Sequence, residues 1–177
     1  EFNNLICTNC DYGFRANHIG NGSIFNYCTF MGCNIAYAGN LSYTGYDTGV
    51  CLKNCYFEGN NTAIYYRIKS YLYIGQCFFE GNRDYNIYLY SPTLDRKALL
   101  VLENSWIYPN AINLTTNKAF IKQYIGSDKT ISYIINNNYI YNLTSESLLN
   151  YLIYAFSGDV IIEARNNVMA SLNNVYP

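Results

Sequence analysis

Apolar and polar positions alternate in short runs along this chain, and the runs return at intervals of 22 to 33 residues. The clearest copies are KNCYFEGN at 53–60 and GQCFFEGN at 75–82. In both copies a large apolar residue follows the cysteine by two positions, and alternating apolar residues precede it. A period of two predicts a short strand on each side of a bend.

Seven positions align as anchors of the repeat when the sequence is compared with itself. They are Asn4, Cys28, Cys55, Cys77, Ser105, Asn138 and Asn167. Two residues after each anchor stands a large apolar residue: Ile6, Phe30, Phe57, Phe79, Ile107, Ile140 and Met169. The residue before the anchor is mostly an amide, and Asn tolerates the left-handed backbone that a tight bend needs.

Such a unit cannot bury its apolar face alone, whereas units stacked about 4.8 Å apart bury it continuously. The pattern therefore predicts an all-β solenoid of about six coils, with 1–177 forming a single domain. Variable spacing predicts loops at Gly39 to Gly49 and at Ser91 to Lys97. A leucine-rich horseshoe or a β-sandwich would not explain seven aligned anchors.

The repeat φ-x-φ-x-N-C-x-F-x-G-N, in which φ is apolar, resembles that of right-handed parallel β-helix proteins. It is most similar to adhesin-like, polymorphic-outer-membrane-protein-like and periplasmic copper-site-assembly (NosD-like) repeats, on a tailspike-type scaffold. The resemblance covers nearly the whole chain and implies a right-handed coil. This scaffold carries lyases, hydrolases, tailspikes and adhesins, so the resemblance implies no single function.

The anchor column is predicted to point inward, with Cys28, Cys55 and Cys77 acting as small apolar residues. A disulfide within this ladder and a metal site are the alternatives. Cys10 and Cys33 fall in similar turns of neighbouring units, where an oxidising compartment would let them form a disulfide. No metal site is predicted, because no C-x-x-C pair recurs among the seven cysteines and the single histidine cannot complete a zinc site alone. No cofactor is predicted either.

Alternation places the residues one and three positions after each anchor on the outside of the coil. We define the aromatic stripe as Tyr56, Phe78, Trp106, Tyr139, Glu58, Glu80, Tyr108 and Tyr141. A flat apolar surface patch is typical of an interface. Three interpretations are open: burial against a sister subunit or a longer loop, glycan binding through ring stacking, and cross-strand packing alone.

The alternative to a binding role is a fragment of a carbohydrate-active enzyme, a glycoside hydrolase or a polysaccharide lyase, that uses Glu58 and Glu80. Glu58 and Glu80 are predicted as stacked neighbours roughly 5 Å apart, similar to the carboxylate pair of retaining glycosidases. Any residue repeated in a column gives this spacing, however, so the prediction is a module without catalytic residues. The lone His18 is predicted to be a loop residue rather than a general base.

Composition limits the classes of partner and the cellular location that the sequence predicts. A net charge of −1 without a Lys/Arg cluster predicts no nucleic-acid partner, and no apolar run reaches membrane length. Five N-x-[ST] sequons favour an exported protein: Asn21, Asn40, Asn60, Asn113 and Asn142.

The predicted function is an extracellular or virion-surface structural or binding module, such as an adhesin, tail-fibre or filament component. Its aromatic stripe would contact a glycan or sister subunits. The sequence shows no amphipathic helix that would cap either end of the coil. Because uncapped ends expose sheet edges, we expect a homo-oligomer or a piece of a longer chain.

Overall fold

In the computed structural model the parallel strands form a solenoid, and each coil contributes one strand to each of three sheets. The structure describes residues 1–17, 22–39, 41, 49–91, 98–108, 119–126, 129–142 and 151–171. Two sheets have seven strands and the third has six, which makes six complete coils and two strands of a seventh. The predicted all-β parallel β-helix of about six coils is therefore confirmed.

The strands are numbered in chain order and fall into three stacks. The first sheet holds β1 (Phe2–Asn3), β4 (Ser23–Asn26), β7 (Val50–Lys53), β10 (Tyr71–Gly75), β13 (Ala98–Glu103), β16 (Thr130–Asn136) and β19 (Asp159–Arg165). The second holds β2 (Ile6–Thr8), β5 (Thr29–Met31), β8 (Tyr56–Glu58), β11 (Phe78–Glu80), β14 (Trp106–Tyr108), β17 (Tyr139–Asn142) and β20 (Val168–Ser171). The third holds β3 (Tyr12–Arg15), β6 (Ile35–Gly39), β9 (Thr62–Tyr66), β12 (Tyr85–Ser91), β15 (Ala119–Ile125) and β18 (Tyr151–Ser157).

The apolar columns of the sequence meet in register and form the core. In the first sheet the structure pairs Phe25 with Leu52, and Leu52 with Ile74. In the second sheet it pairs Phe57 with Phe79, and their rings stack at 5.0 Å. These side chains are fully buried. Burial of successive apolar rows between neighbouring coils is the principal favourable contribution to the fold.

The corner between the first two sheets uses one left-handed residue in every coil. The residues with this backbone are Asn4, Tyr27, Asn54, Gln76, Asn104, Asn137 and Asn166, with φ between 51° and 57°. Six of the seven are amides, which adopt this conformation at lower cost than other side chains. The predicted role of the amide column in the bend is confirmed from the third coil onward, and Tyr27 takes the same backbone conformation in the second coil.

In the first coil the predicted register is wrong by one residue. Asn4 was predicted to be the anchor, but it occupies the left-handed corner, and Leu5 stands in the anchor column. As a result Ile6 pairs with Thr29 and is 72% exposed instead of buried. The shift places Phe2 beside Phe25, where the two rings stack at 4.6 Å.

A second column of amides lies between the second and third sheets. Asn60 is buried; its Oδ1 accepts a hydrogen bond from the Cys33 amide at 2.9 Å. Its Nδ2 donates to the Phe30 carbonyl at 3.1 Å and to Asn82 Oδ1 at 2.9 Å. We call Asn60 and Asn82 the amide ladder. Because Asn60 is enclosed and bonded, its sequon is inaccessible in the fold.

Several other predictions fall on parts of the chain that the structure leaves undescribed. These are His18, most of the two predicted loops, the sequons at Asn21, Asn40 and Asn113, and the Asn142 side chain. Across the residues that are described, no helix is long and apolar enough to span a membrane.

The amide ladder generates a first stability prediction. Asn60→Ala would leave the Cys33 amide and the Phe30 carbonyl without their side-chain partners, and we expect a loss of about 3 kcal/mol. The matched control is Asn61→Ala, since the Asn61 side chain makes a solvent-exposed hydrogen bond to the Asn34 side chain. Its loss should cost under about 1 kcal/mol of unfolding free energy. Urea unfolding followed by circular dichroism measures both, and equal losses would contradict the role of the ladder.

The left-handed column generates a second prediction. Tyr27 is 60% exposed at φ 56°, so Tyr27→Asn relieves backbone strain without changing the core. We expect a gain of about 0.5–1 kcal/mol in unfolding free energy. The reverse exchange, Asn137→Tyr, should cost a similar amount at its φ of 56°. Thermal unfolding of both variants is the measurement, and a destabilised Tyr27→Asn would refute the argument.

Candidate functional site

The aromatic stripe lies on the outer face of the second sheet, where alternate side chains of short strands point away from the core. The structure pairs Tyr56 with Phe78, Phe78 with Trp106 and Trp106 with Tyr139 in successive coils. Trp106 is 49% exposed and the other three are half-buried. The stripe residues predicted from alternation are therefore brought together, apart from the Tyr141 side chain, which lies outside the described residues.

The ring contacts of the stripe centre on two pairs, and Tyr108 joins the first of them. Tyr56 and Phe78 stack at 5.0 Å with 21° between their planes, and Phe78 also contacts Tyr108 at 5.3 Å. Trp106 and Tyr139 pair at 5.0 Å with 33° between their planes. Such contacts add about 0.5–1.5 kcal/mol per pair and hold the ring faces in fixed orientations.

Carboxylates accompany the first of these pairs. Glu58 and Glu80 are direct neighbours in register, as predicted, and both are half-buried. The Tyr56 hydroxyl donates a hydrogen bond to Glu80 Oε2 at 3.0 Å. Burial and this hydrogen bond raise the pKa of Tyr56 above its ordinary value. Glu80 is therefore tied to a neighbouring phenol.

A groove of about 350 Å³ adjoins the second pair. Trp106, Tyr139 and Val168 line it together with amides of the corner column. Those amides are Asn104, Asn137 and Asn166, all exposed, with Asn138 beneath them. The groove thus presents one broad indole face and a row of amide donors and acceptors, and all its lining residues are neutral.

The anchor column runs behind the stripe, inside the coil. Cys28, Cys55, Cys77, Ser105 and Asn138 are buried, and Asn167 is half-buried. Side chains bond from coil to coil: Cys77 N donates to Ser105 Oγ at 3.1 Å, and Ser105 N donates to Asn138 Oδ1 at 3.0 Å. Asn138 N donates to Asn167 Oδ1 at 3.0 Å. The column holds successive coils in register, and Asn4 lies outside it.

Residues of a second aromatic surface were missed by the sequence analysis. We define the tyrosine cluster as Tyr65, Tyr85, Tyr88, Tyr90 and Tyr124 on the third sheet, around Lys122. Lys122 Nζ lies 4.5 Å from the Tyr85 ring centroid and donates to its hydroxyl at 2.8 Å. The signal in the sequence was the alternation YNIYLY at 85–90, which the repeat unit as predicted did not include.

A metal centre was not predicted, and the described residues contain no group of three or more His, Cys, Asp or Glu side chains arranged to hold a metal ion. All seven cysteines are thiols in this structure. The chemistry displayed by the outer faces is therefore that of aromatic rings, amides and a few carboxylates.

The contact between Tyr56 and Glu80 can be tested through its effect on the phenol. Glu80→Gln removes the negative charge that favours the protonated phenol, so we expect the raised pKa of Tyr56 to fall towards its ordinary value. A ¹³C NMR titration of ring-labelled tyrosine measures it, with Tyr56→Phe identifying the signal. The control is Glu103→Gln, which should lower the pKa of Tyr73 only. An unchanged Tyr56 pKa in Glu80→Gln would contradict the contact.

Comparison with known proteins returned no relatives: no protein-family model, no curated protein and no solved structure matches this chain. The parallel β-helix is shown by the strand order and register of the chain itself. The similarity to particular repeat families stays a prediction.

Proposed function

We propose that this chain is a structural carbohydrate-binding module, displayed outside the cell or on a virion, that holds a glycan in the groove beside Trp106. One observation carries the proposal: an indole that is 49% exposed forms the wall of a groove whose remaining lining is largely amide. An exposed aromatic face costs free energy in water, and ligand burial would recover it.

The chemistry of the groove suits a sugar ring. A pyranose has an apolar face of C–H groups, which packs against a flat aromatic ring, and a rim of hydroxyls. The Trp106 face, held against Tyr139, supplies the first partner. Asn104, Asn137 and Asn166 supply the second, since each amide offers two donors and an acceptor for hydroxyls.

The rigidity of the groove also favours binding. The three amides project from corner residues with φ between 51° and 56°, on successive coils about 4.8 Å apart. Their positions are set by the backbone ladder rather than by mobile loops, so little conformational entropy is lost when a ligand binds. A row of identical groups at a constant step suits a polymer with a repeating unit.

Two other functions compete with glycan binding on the same stripe. Packing against a sister subunit would cover Trp106, and it predicts association of the protein in solution. Catalysis would require Glu58 and Glu80, but Glu80 already accepts the Tyr56 hydrogen bond, and the groove beside Trp106 has a neutral lining. We therefore propose a binding role, with the glutamate pair as the enzymatic alternative.

The binding proposal is tested with printed arrays of neutral and acidic oligosaccharides, followed by titration of any hit. Trp106 is the single tryptophan, so its fluorescence reports occupation of the groove directly. Trp106→Ala should weaken binding at least tenfold, roughly 1.4 kcal/mol or more. Asn137→Gly keeps the left-handed backbone and removes only the amide, and it should weaken binding about three- to tenfold.

The matched control is Asn4→Gly, which removes an exposed amide from the same corner column, five coils away from Asn137, and should leave affinity unchanged. Absence of glycan binding by the unmodified protein would overturn the proposal. Sedimentation that shows association lost in Trp106→Ala would assign the stripe to a sister subunit instead. Release of reducing ends that is abolished by Glu58→Gln or Glu80→Gln would establish the enzymatic alternative.

A further inference from the structure

Two cysteines occupy the same position in the first and second coils, at the end of the molecule opposite the groove. The strands on either side of them pair with one constant offset: Thr8 with Met31 before the turn, and Tyr12 with Ile35 after it. The same offset of 23 residues takes Cys10 to Cys33. The two cysteines are therefore stacked in register.

Their sulfur atoms are in contact. Cys10 Sγ and Cys33 Sγ lie 3.2 Å apart, with Cys10 partly exposed and Cys33 buried. Strands of neighbouring coils are about 4.8 Å apart, which lies within the Cα separation that a disulfide accepts. Both residues line a polar groove of about 420 Å³, so a small thiol reagent can reach Cys10.

Cys10 and Cys33 extend the amide ladder by one coil, with thiols in place of side-chain amides. Asn82 bonds to Asn60, and Asn60 bonds to the Cys33 amide, so the ladder ties the second, third and fourth coils together. Between the second and first coils the position is held by two thiols. The first coil has short strands, of two to four residues. Its stability therefore depends on its contacts with the second coil.

We propose that Cys10 and Cys33 form a disulfide site that joins the first coil covalently to the second, with a low-molecular-weight disulfide such as oxidised glutathione as the oxidant. The Cys10 thiolate attacks one sulfur of the glutathione disulfide and releases one glutathione. The Cys33 thiolate then attacks the mixed disulfide at Cys10 and releases the second. Two protein thiols are oxidised, one glutathione disulfide is reduced, and the two thiol protons pass to the two departing glutathione thiolates.

Access distinguishes this pair from the stacked thiols of the anchor column. Cys55 and Cys77 are buried and donate to carbonyls of the preceding coil, at 3.6 Å to Phe25 and 3.5 Å to Leu52. An oxidant in the solvent therefore reaches Cys10 before the buried thiols of the anchor column.

Cys7 is the competing partner for Cys33. It is half-buried, its thiol donates to the Gly13 carbonyl at 3.1 Å, and its own carbonyl lies 3.8 Å from Cys33 Sγ. Strand register pairs Cys7 with Phe30, so Cys10 is the in-register partner of Cys33. The contact with Cys33 raises the pKa of Cys10 to about 11, which makes disulfide formation slow at neutral pH but does not change the partner.

The experiment equilibrates the intact protein with oxidised glutathione under native conditions, then blocks free thiols and maps peptides by mass spectrometry. The expected product is a single Cys10–Cys33 link, retained in Cys7→Ser and Cys51→Ser and lost in Cys10→Ser. Amide hydrogen exchange in residues 1–17 should be roughly 10- to 100-fold slower in the oxidised protein than in the reduced protein, and dithiothreitol should reverse the difference. Exchange in 151–171, five to six coils along, serves as the internal control.

A Cys7–Cys33 link, a link within the anchor column, or seven free thiols with no Cys10–Cys33 link would overturn the proposal. So would a Cys10–Cys33 link that leaves exchange in 1–17 unchanged, because the bond would then not hold the first coil. The readout does not involve glycan, so its failure is independent of the proposed binding function.

Discussion

The left-handed residue at the first corner of each coil is the constraint on which this fold depends. It turns the chain within one residue. Its backbone N–H donates to a backbone carbonyl of the next coil, as Asn54 does to Gly75 and Gln76 does to Glu103, both at 3.1 Å. Since the corner recurs at the same place in every coil, the strands that follow begin in register. A corner displaced by one residue would turn every side chain of the next strand to the opposite face. Core and surface are therefore separated at the corner, before any apolar contact is made.

That constraint explains which parts of the structure could be predicted from the sequence. Columns such as Phe57 and Phe79 were assigned correctly because an amide and a small anchor mark each corner. The first coil was misread because Asn3 and Asn4 are adjacent and either could mark the corner; the stacking of Phe2 on Phe25 accompanies the choice of Asn4. The strands of the third sheet follow stretches of variable length and no single marker residue, so the tyrosine cluster was not predicted. The aromatic stripe was predicted as a set, but its division into two ring pairs depends on side-chain rotations that alternation does not specify.

The corner also connects the fold to the proposed function. Asn104, Asn137 and Asn166 are amides because the backbone there is left-handed, and the same position leaves their side chains exposed beside Trp106. Residues that the fold requires are thus available to a ligand at no additional structural cost. In earlier coils the same column runs beside Tyr56 and Phe78, whose neighbours include Glu58 and Glu80, so the two halves of the stripe differ in charge although their backbones are alike. Specificity in such a surface comes from the outward residues, because the inward ones are fixed by packing.

The ends of a solenoid obey different energetics from its middle. An interior coil is covered on both sides, whereas a terminal coil has one neighbour and half of the favourable contacts. Tyr133 is buried, yet Ile162, its partner in the last described coil, is 53% exposed. The first described coil shows the same effect, because Phe2 is 42% exposed although its partner Phe25 is buried. An amide ladder adds little there, since each amide contributes only modest net free energy once its competition with water is counted. A covalent bond restricts the opened coil directly, so a cysteine pair has the largest effect at the place where stacking contributes least.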